Sequence, residues 1–176
     1  GEELLRLALQ AAASCQLPVI MDADALNLLA EDRLGDCRGD NGRWILTPHP
    51  GEAARLLKIT NAEVQADRHA AARMLQRMGS VALLKGAGTV ICTEHEGQAR
   101  VETCSHGNPG MASGGMGDIL SGVIAALLAQ GLSLADSTRL GVCLHSKAGD
   151  LCAEDGGMRG MLATDLFPFL RSLLNS

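Results

Sequence analysis

Three short apolar runs, each too brief for a helix, alternate with longer stretches of helical periodicity. "VIM" (19–21), "RWIL" (43–46) and "VALLK" (81–85) read as buried strands. Around and between them, residues 2–14, "ADALNLLA" (23–30), 52–58 and 60–78 read as helices, with Asp24 as an N-cap. Thr60 and Glu63 stand at capping-box spacing at the head of the last of these. Strands separated by helical crossovers lie parallel, because an antiparallel pair needs only a tight turn. The chain is therefore expected to form an α/β layered fold with a mostly parallel central sheet flanked by helices. "TVICT" (89–93) and "ARVET" (99–103) flank the polar "EHEGQ" and add a small β-hairpin. Residues 31–42 read as a loop. Helices over about 115–129, 133–154 and 164–174 complete the chain, with Thr164 capping the last.

The length of 176 residues suits a single domain. A formal net charge of −5, no Tyr and one Trp exclude a basic or stacking face for nucleic acid. The uncharged segment 119–135 falls short of the ~20 apolar residues of a membrane span and is interrupted by Ser, Gln and Gly, so no membrane partner is expected. Six scattered cysteines without a C-x-x-C pair predict reduced, mostly buried thiols and a cytoplasmic protein. The chain opens on acids, unlike a signal peptide, and on a helix where a strand is expected. It reads as one domain over 1–176, incomplete at its N-terminus. An unpaired sheet edge beside "VIM" then predicts a homo-oligomer, a tetramer among the options.

The stretch with chemistry is "GNPGMASGGMGDILSG" (107–122). Its glycines let backbone approach a ligand, and the apolar run from Ile119 starts a helix whose first N–H groups are unpaired. Gly114, Gly115, Met116 and Gly117 thus form a candidate anion cradle. The alternative is a glycine-rich turn that only packs tightly. Asp118 at the junction reads either as a cap or as a general base beside a transferring phosphoryl group. The P-loop pattern is excluded, since no Lys follows the loop.

With "DADALN" (22–27), "LTPHPGE" (46–52) and "LKGAGT" (84–89), this loop resembles the ADP/ATP-dependent NAD(P)H-hydrate dehydratases of the ribokinase-like superfamily. The resemblance runs over essentially the whole chain, and four motifs in order make it specific. It implies that Lys85, Gly86, Ala87, Gly88 and Thr89, together with Gly117, contact the adenine nucleotide. It implies that Asp118 is the catalytic base facing hydrated NAD(P)H and that His49 also contacts that substrate. "HPGE" stands where many ribokinase-like kinases carry N-x-x-E, so Glu52 is expected to help order Mg²⁺ and phosphate. Read without the resemblance, "KGAGT" is a strand–turn–strand connection with Lys85 reaching to solvent. Asp22 and Asn27 are weaker site candidates. His69, His95 and His145 read as helix-surface or loop residues. Cys104 and His106 are noted only for lying close to the glycine loop.

The implied reaction is a dehydration by way of a phosphate ester. Hydrated NAD(P)H carries a hydroxyl beside the ring nitrogen, and hydroxide is a poor leaving group. ADP or ATP would phosphorylate it, the ring nitrogen would expel phosphate, and proton loss would restore NAD(P)H. The family also implies a possible fusion to an epimerase domain. Two rivals stay open at this point: a ribokinase-like kinase of a vitamin-precursor alcohol, and an inactive nucleotide-binding module.

Overall fold

The computed structural model describes residues 1–38 and 43–175. A five-stranded sheet has the order β1-β2-β3-β4-β5. β1 (Val19–Met21), β2 (Trp44–Leu46) and β3 (Val81–Leu84) are the three short apolar runs. They are parallel neighbours, with Ile20 opposite Ile45 and Ile45 opposite Val81. β4 (Thr89–His95) runs antiparallel to β3, with Leu83 opposite Ile91, and a two-residue turn leads into β5 (Gln98–Cys104). The parallel strands and the hairpin are as expected.

Helices α1 (Glu2–Ser14), α2 (Asp24–Ala30) and α3 (Pro50–Leu57) follow the sequence periodicity. The helix expected over 60–78 is instead two, α4 (Asn61–Ala66) and α5 (Arg68–Gln76). Asp67 breaks it: its backbone leaves the helical region at φ −142°, ψ 84°, and its carboxylate accepts the Ala70 N–H at 2.8 Å, capping α5. The expected Thr60–Glu63 capping box is present and opens α4. The predicted loop 31–42 forms a turn over 31–34 and a 3₁₀ turn at Gly35–Arg38, and residues 39–42 lie outside the described residues. Asp24 is the first helical residue of α2 rather than its cap; Ala23 takes that position.

The chain divides into two compact units, Gly1–Gly86 with Val90–Glu102, and Ala87–Thr89 with Thr103–Ser176. In the first, Met21, Leu26, Leu29, Leu34, Leu46, Leu75 and Leu84 are nearly solvent-free and form an aliphatic core under α1–α5. In the second, α6 (Met116–Ala129), α7 (Leu134–Gly156) and α8 (Leu166–Leu173) pack around Met116, Ala148, Met161 and Leu166. α6 and α7 approach closely: a Cβ on Gly141 would lie 2.6 Å from Ile124 Cγ1. Thr164 does not cap α8; it sits inside a one-turn 3₁₀ segment, where Asp165 accepts the Leu162 N–H at 2.8 Å. Of the six thiols only Cys92 and Cys152 are buried, fewer than expected. Among the described residues no helix is long and apolar enough to cross a membrane.

Candidate functional site

In the first unit, three of the sequence motifs leave one edge of the sheet. β1, β2 and β3 point the same way in adjacent register, so Asp22, Thr47–His49 and Lys85 follow their C-terminal ends side by side. Open α/β sheets hold ligands along this edge. The motifs are tied together there. Lys85 Nζ donates to Asp22 Oδ1 at 2.7 Å, with the two side chains 21% and 19% exposed. The Lys85 N–H donates to the Pro48 carbonyl at 2.9 Å, and the Thr47 hydroxyl donates to the Met21 carbonyl at 3.2 Å. Lys85 is therefore paired rather than reaching into solvent. Asn27 is engaged by Arg55, whose Nε donates to its Oδ1 at 3.0 Å.

His49 is the N-cap of α3, and Pro50 at the first helical position suits that start. Its Nδ1 accepts the N–H groups of Gly51 at 3.0 Å and Glu52 at 3.3 Å. In the neutral ring these bonds assign the proton to Nε2, which lies 3.4 Å from Glu52 Oε1. The other Glu52 oxygen accepts the His49 N–H at 2.8 Å. Glu52 is buried and His49 about half exposed, so an imidazole held between two prolines stands at the surface. Both oxygens of Glu52 face His49. Among the described residues no three His, Cys, Asp or Glu gather as a ligand set. Mg²⁺ does not need one, since it keeps most of its waters and takes phosphate oxygens as ligands.

Arg68 was not singled out from the sequence. Its guanidinium donates to the carbonyls of Leu84 at 3.2 Å and Lys85 at 3.3 Å, and burial lowers its pKa. It supports the backbone where "KGAGT" begins. An Arg in a polar helix start gives no sequence signal for this, because its partners are carbonyls sixteen and seventeen residues away.

In the second unit, α6 begins after Gly115 at φ 85°, a conformation that favours glycine. No side chain caps α6, although α3, α4, α5 and α7 are each capped by a side chain. By helix geometry the N–H groups of Met116, Gly117 and Asp118 have no partner inside α6. The loop is open at Gly114, where a Cβ would meet nothing within 4 Å. Ser113 Oγ is buried with no hydrogen-bond partner among the described residues. Asp118 is exposed, and among the described residues no hydrogen bond or ion pair engages it. It is not a cap.

His145 on α7 is buried, against the expectation of a surface position, because it faces the start of α6. Burial lowers its pKa to about 4 against a hydrogen bond to the Met116 backbone that raises it. Its Nε2 has no partner among the described residues. Gly88 adopts φ 69°, and a Cβ there would lie 3.4 Å from Thr103 Cγ2. A separate cavity of about 370 Å³, where α7 ends and α8 begins, holds acids and a cation of mixed sign and none of the expected site residues.

Residues 1–171 match the family model described as NAD(P)H-hydrate dehydratase. The bifunctional NAD(P)H-hydrate repair enzyme Nnr of Coxiella burnetii is 56% identical over 160 residues, covering 90% of this chain and 31% of that protein. The chain thus spans about a third of the length of such curated relatives. Among solved structures, the ADP/ATP-dependent NAD(P)H-hydrate dehydratase of Bacillus subtilis, co-crystallised with ATP and Mg²⁺, is 29% identical with a TM-score of 0.69. That match covers 75% of this chain and 47% of that one. A ribokinase-like superfamily protein of Enterococcus faecalis aligns over 97% of this chain and 57% of its own, with a TM-score of 0.74 and 28% identity. The fold is ribokinase-like.

Proposed function

Because the chain belongs to the NAD(P)H-hydrate dehydratase family, we propose that it acts in the ADP- or ATP-dependent dehydration of hydrated NAD(P)H. The observation that carries this reading is Asp118: an exposed, unengaged carboxylate in the first turn of a helix that no side chain caps. A carboxylate kept free of local bonds is available to take a proton, and free N–H groups beside it suit a phosphoryl group.

In this reading Asp118 removes the proton of the substrate hydroxyl as its oxygen attacks the terminal phosphorus of the nucleotide. The P–O bond to the nucleotide breaks, leaving AMP from ADP or ADP from ATP. The N–H groups of Met116 and Gly117, with Gly114 and Gly115 giving close access, stabilise the phosphoryl oxygens. The ring nitrogen then supplies the electron pair that expels phosphate, and loss of a proton restores NAD(P)H. Lys85, Gly86, Ala87, Gly88 and Thr89, with Gly117, hold the adenine nucleotide. His49 contacts the substrate. Both its nitrogens are directed at α3, so the part it offers is its ring, suited to lie against a flat nicotinamide. A bound Mg²⁺ would offset the charge of the phosphates, and Glu52 would influence it only through intervening groups.

The test is direct. The protein is supplied with hydrated NADH and either ADP or ATP, and the near-ultraviolet absorbance of NADH is followed. Nucleotide-dependent recovery of NADH supports the reading. No recovery, together with phosphorylation of a vitamin-precursor alcohol such as hydroxyethylthiazole, would favour the kinase.

A further inference from the structure

The glycine-rich loop is tethered along its length to α7. At its leading end, Asp150 accepts the Gly107 N–H on both carboxylate oxygens at 3.1 Å and Asn108 Nδ2–H on Oδ1 at 3.2 Å. Its Oδ2 also lies 3.2 Å from His106 Nδ1. Burial alone would raise the pKa of Asp150, but these bonds outweigh it and hold the carboxyl below its usual range. Asn108 carries the restraint onward: its amide donates to the Gly149 carbonyl at 2.9 Å, and its Oδ1 accepts the Gly110 N–H at 3.0 Å. In the middle of the loop, Met111 presses so closely on Gly149 that a Cβ there would lie 2.3 Å from its Sδ. At the far end, His145 hydrogen-bonds the backbone of Met116. Residues 145 and 149 stand one turn apart on the same side of α7, and Asp150 follows directly after 149.

A loop this rich in glycine would otherwise sample many backbone states, and ordering it costs conformational entropy. Electrostatic stabilisation of a transferring group needs donors that are fixed beforehand. We propose that Asp150 is a positioning residue: by gathering His106, Gly107 and Asn108 against α7, it fixes the loop that leads to the α6 N-terminus and Asp118. The inference rests on the dehydratase reading above. Asp150 itself does not touch the substrate, since its oxygens are turned onto the loop.

The experiment compares Asp150→Ala, Asp150→Asn and the wild-type protein in steady-state turnover of hydrated NADH and in calorimetric binding of AMP and ADP. AMP lacks the terminal phosphate that the α6 N-terminus would hold, so the ADP-to-AMP affinity ratio reports on the loop. Asp150→Ala should lower kcat by roughly 10- to 100-fold, as a misplaced catalytic group does. It should bring the ADP-to-AMP ratio toward one and leave AMP affinity unchanged. Asp150→Asn keeps an acceptor for the Gly107 N–H and should recover much of kcat. A variant less stable to heat, with wild-type kcat and affinity ratio, would reduce Asp150 to a structural role and overturn the proposal. Equal loss of AMP and ADP binding would do the same. If Asp150→Ala does not fold, Asn108→Ala replaces it, and unchanged kcat and ratio in that variant are equally contrary. A wild-type protein that neither binds AMP nor restores NADH defeats the functional reading and the inference with it. With an active wild type, the variants bear on Asp150 alone.

Discussion

Lys85 and Asp22, sixty-three positions apart, form an ion pair of 2.7 Å in which both side chains are about one-fifth exposed. The pair joins the ends of β3 and β1, with the end of β2 between them. Two motifs that look independent in the sequence are thus parts of one edge. Asp22 also accepts the Ala23 N–H at 2.9 Å, which holds the carboxylate in place for the cation.

A double-mutant cycle with Asp22→Ala and Lys85→Ala should return a coupling of about 1 kcal/mol in urea unfolding, above the median for exposed pairs and discounted for partial solvent screening. Additive effects of the two substitutions would mean that the pair contributes nothing beyond its individual side chains.

Gly88→Val places a β-branched residue at φ 69°, which is strained by about 1–2 kcal/mol. The fold should survive, checked by circular dichroism. AMP and ADP affinity should fall at least ~10-fold, about 1.4 kcal/mol in binding free energy. Unchanged affinity in a folded variant would place the nucleotide away from "KGAGT".

His145 makes stability depend on pH. Its pKa is about 4 when folded and about 6.5 when free, so between these values the unfolded chain binds more protons. Its contribution is fully present above about pH 6.5 and is lost as the pH falls toward 4. The maximum effect is about 3 kcal/mol, at ~1.36 kcal/mol per pKa unit. Thermal unfolding between pH 7 and 4.5 should show a steeper loss in the wild type than in His145→Asn. Parallel curves would mean that His145 titrates normally.

Much of this architecture was legible in the sequence because short apolar runs and helical periodicity are local signals. The three parallel strands, the hairpin and the start of α6 follow from them. The break at Asp67 was missed because an aspartate between two helical stretches can cap or simply face solvent, and its backbone decides which. The burial of His145 and the grip of Asp150 on Gly107 depend on how α7 packs against a loop some thirty to forty residues earlier, and no local pattern records that. The role of Arg68 was hidden for the same reason, since its partners are carbonyls. The glycine loop itself was conspicuous, but its composition suggested flexibility where the structure shows restraint.

The most direct measurement is turnover of hydrated NADH by Asp118→Asn beside the wild type, with AMP and ADP binding measured on the same preparations. Asn keeps the size and exposure of the side chain and removes its basicity. The kcat should fall by ~10²–10⁴, the usual cost of losing a general base, with nucleotide affinities nearly unchanged. A variant with wild-type kcat would remove Asp118 from the mechanism.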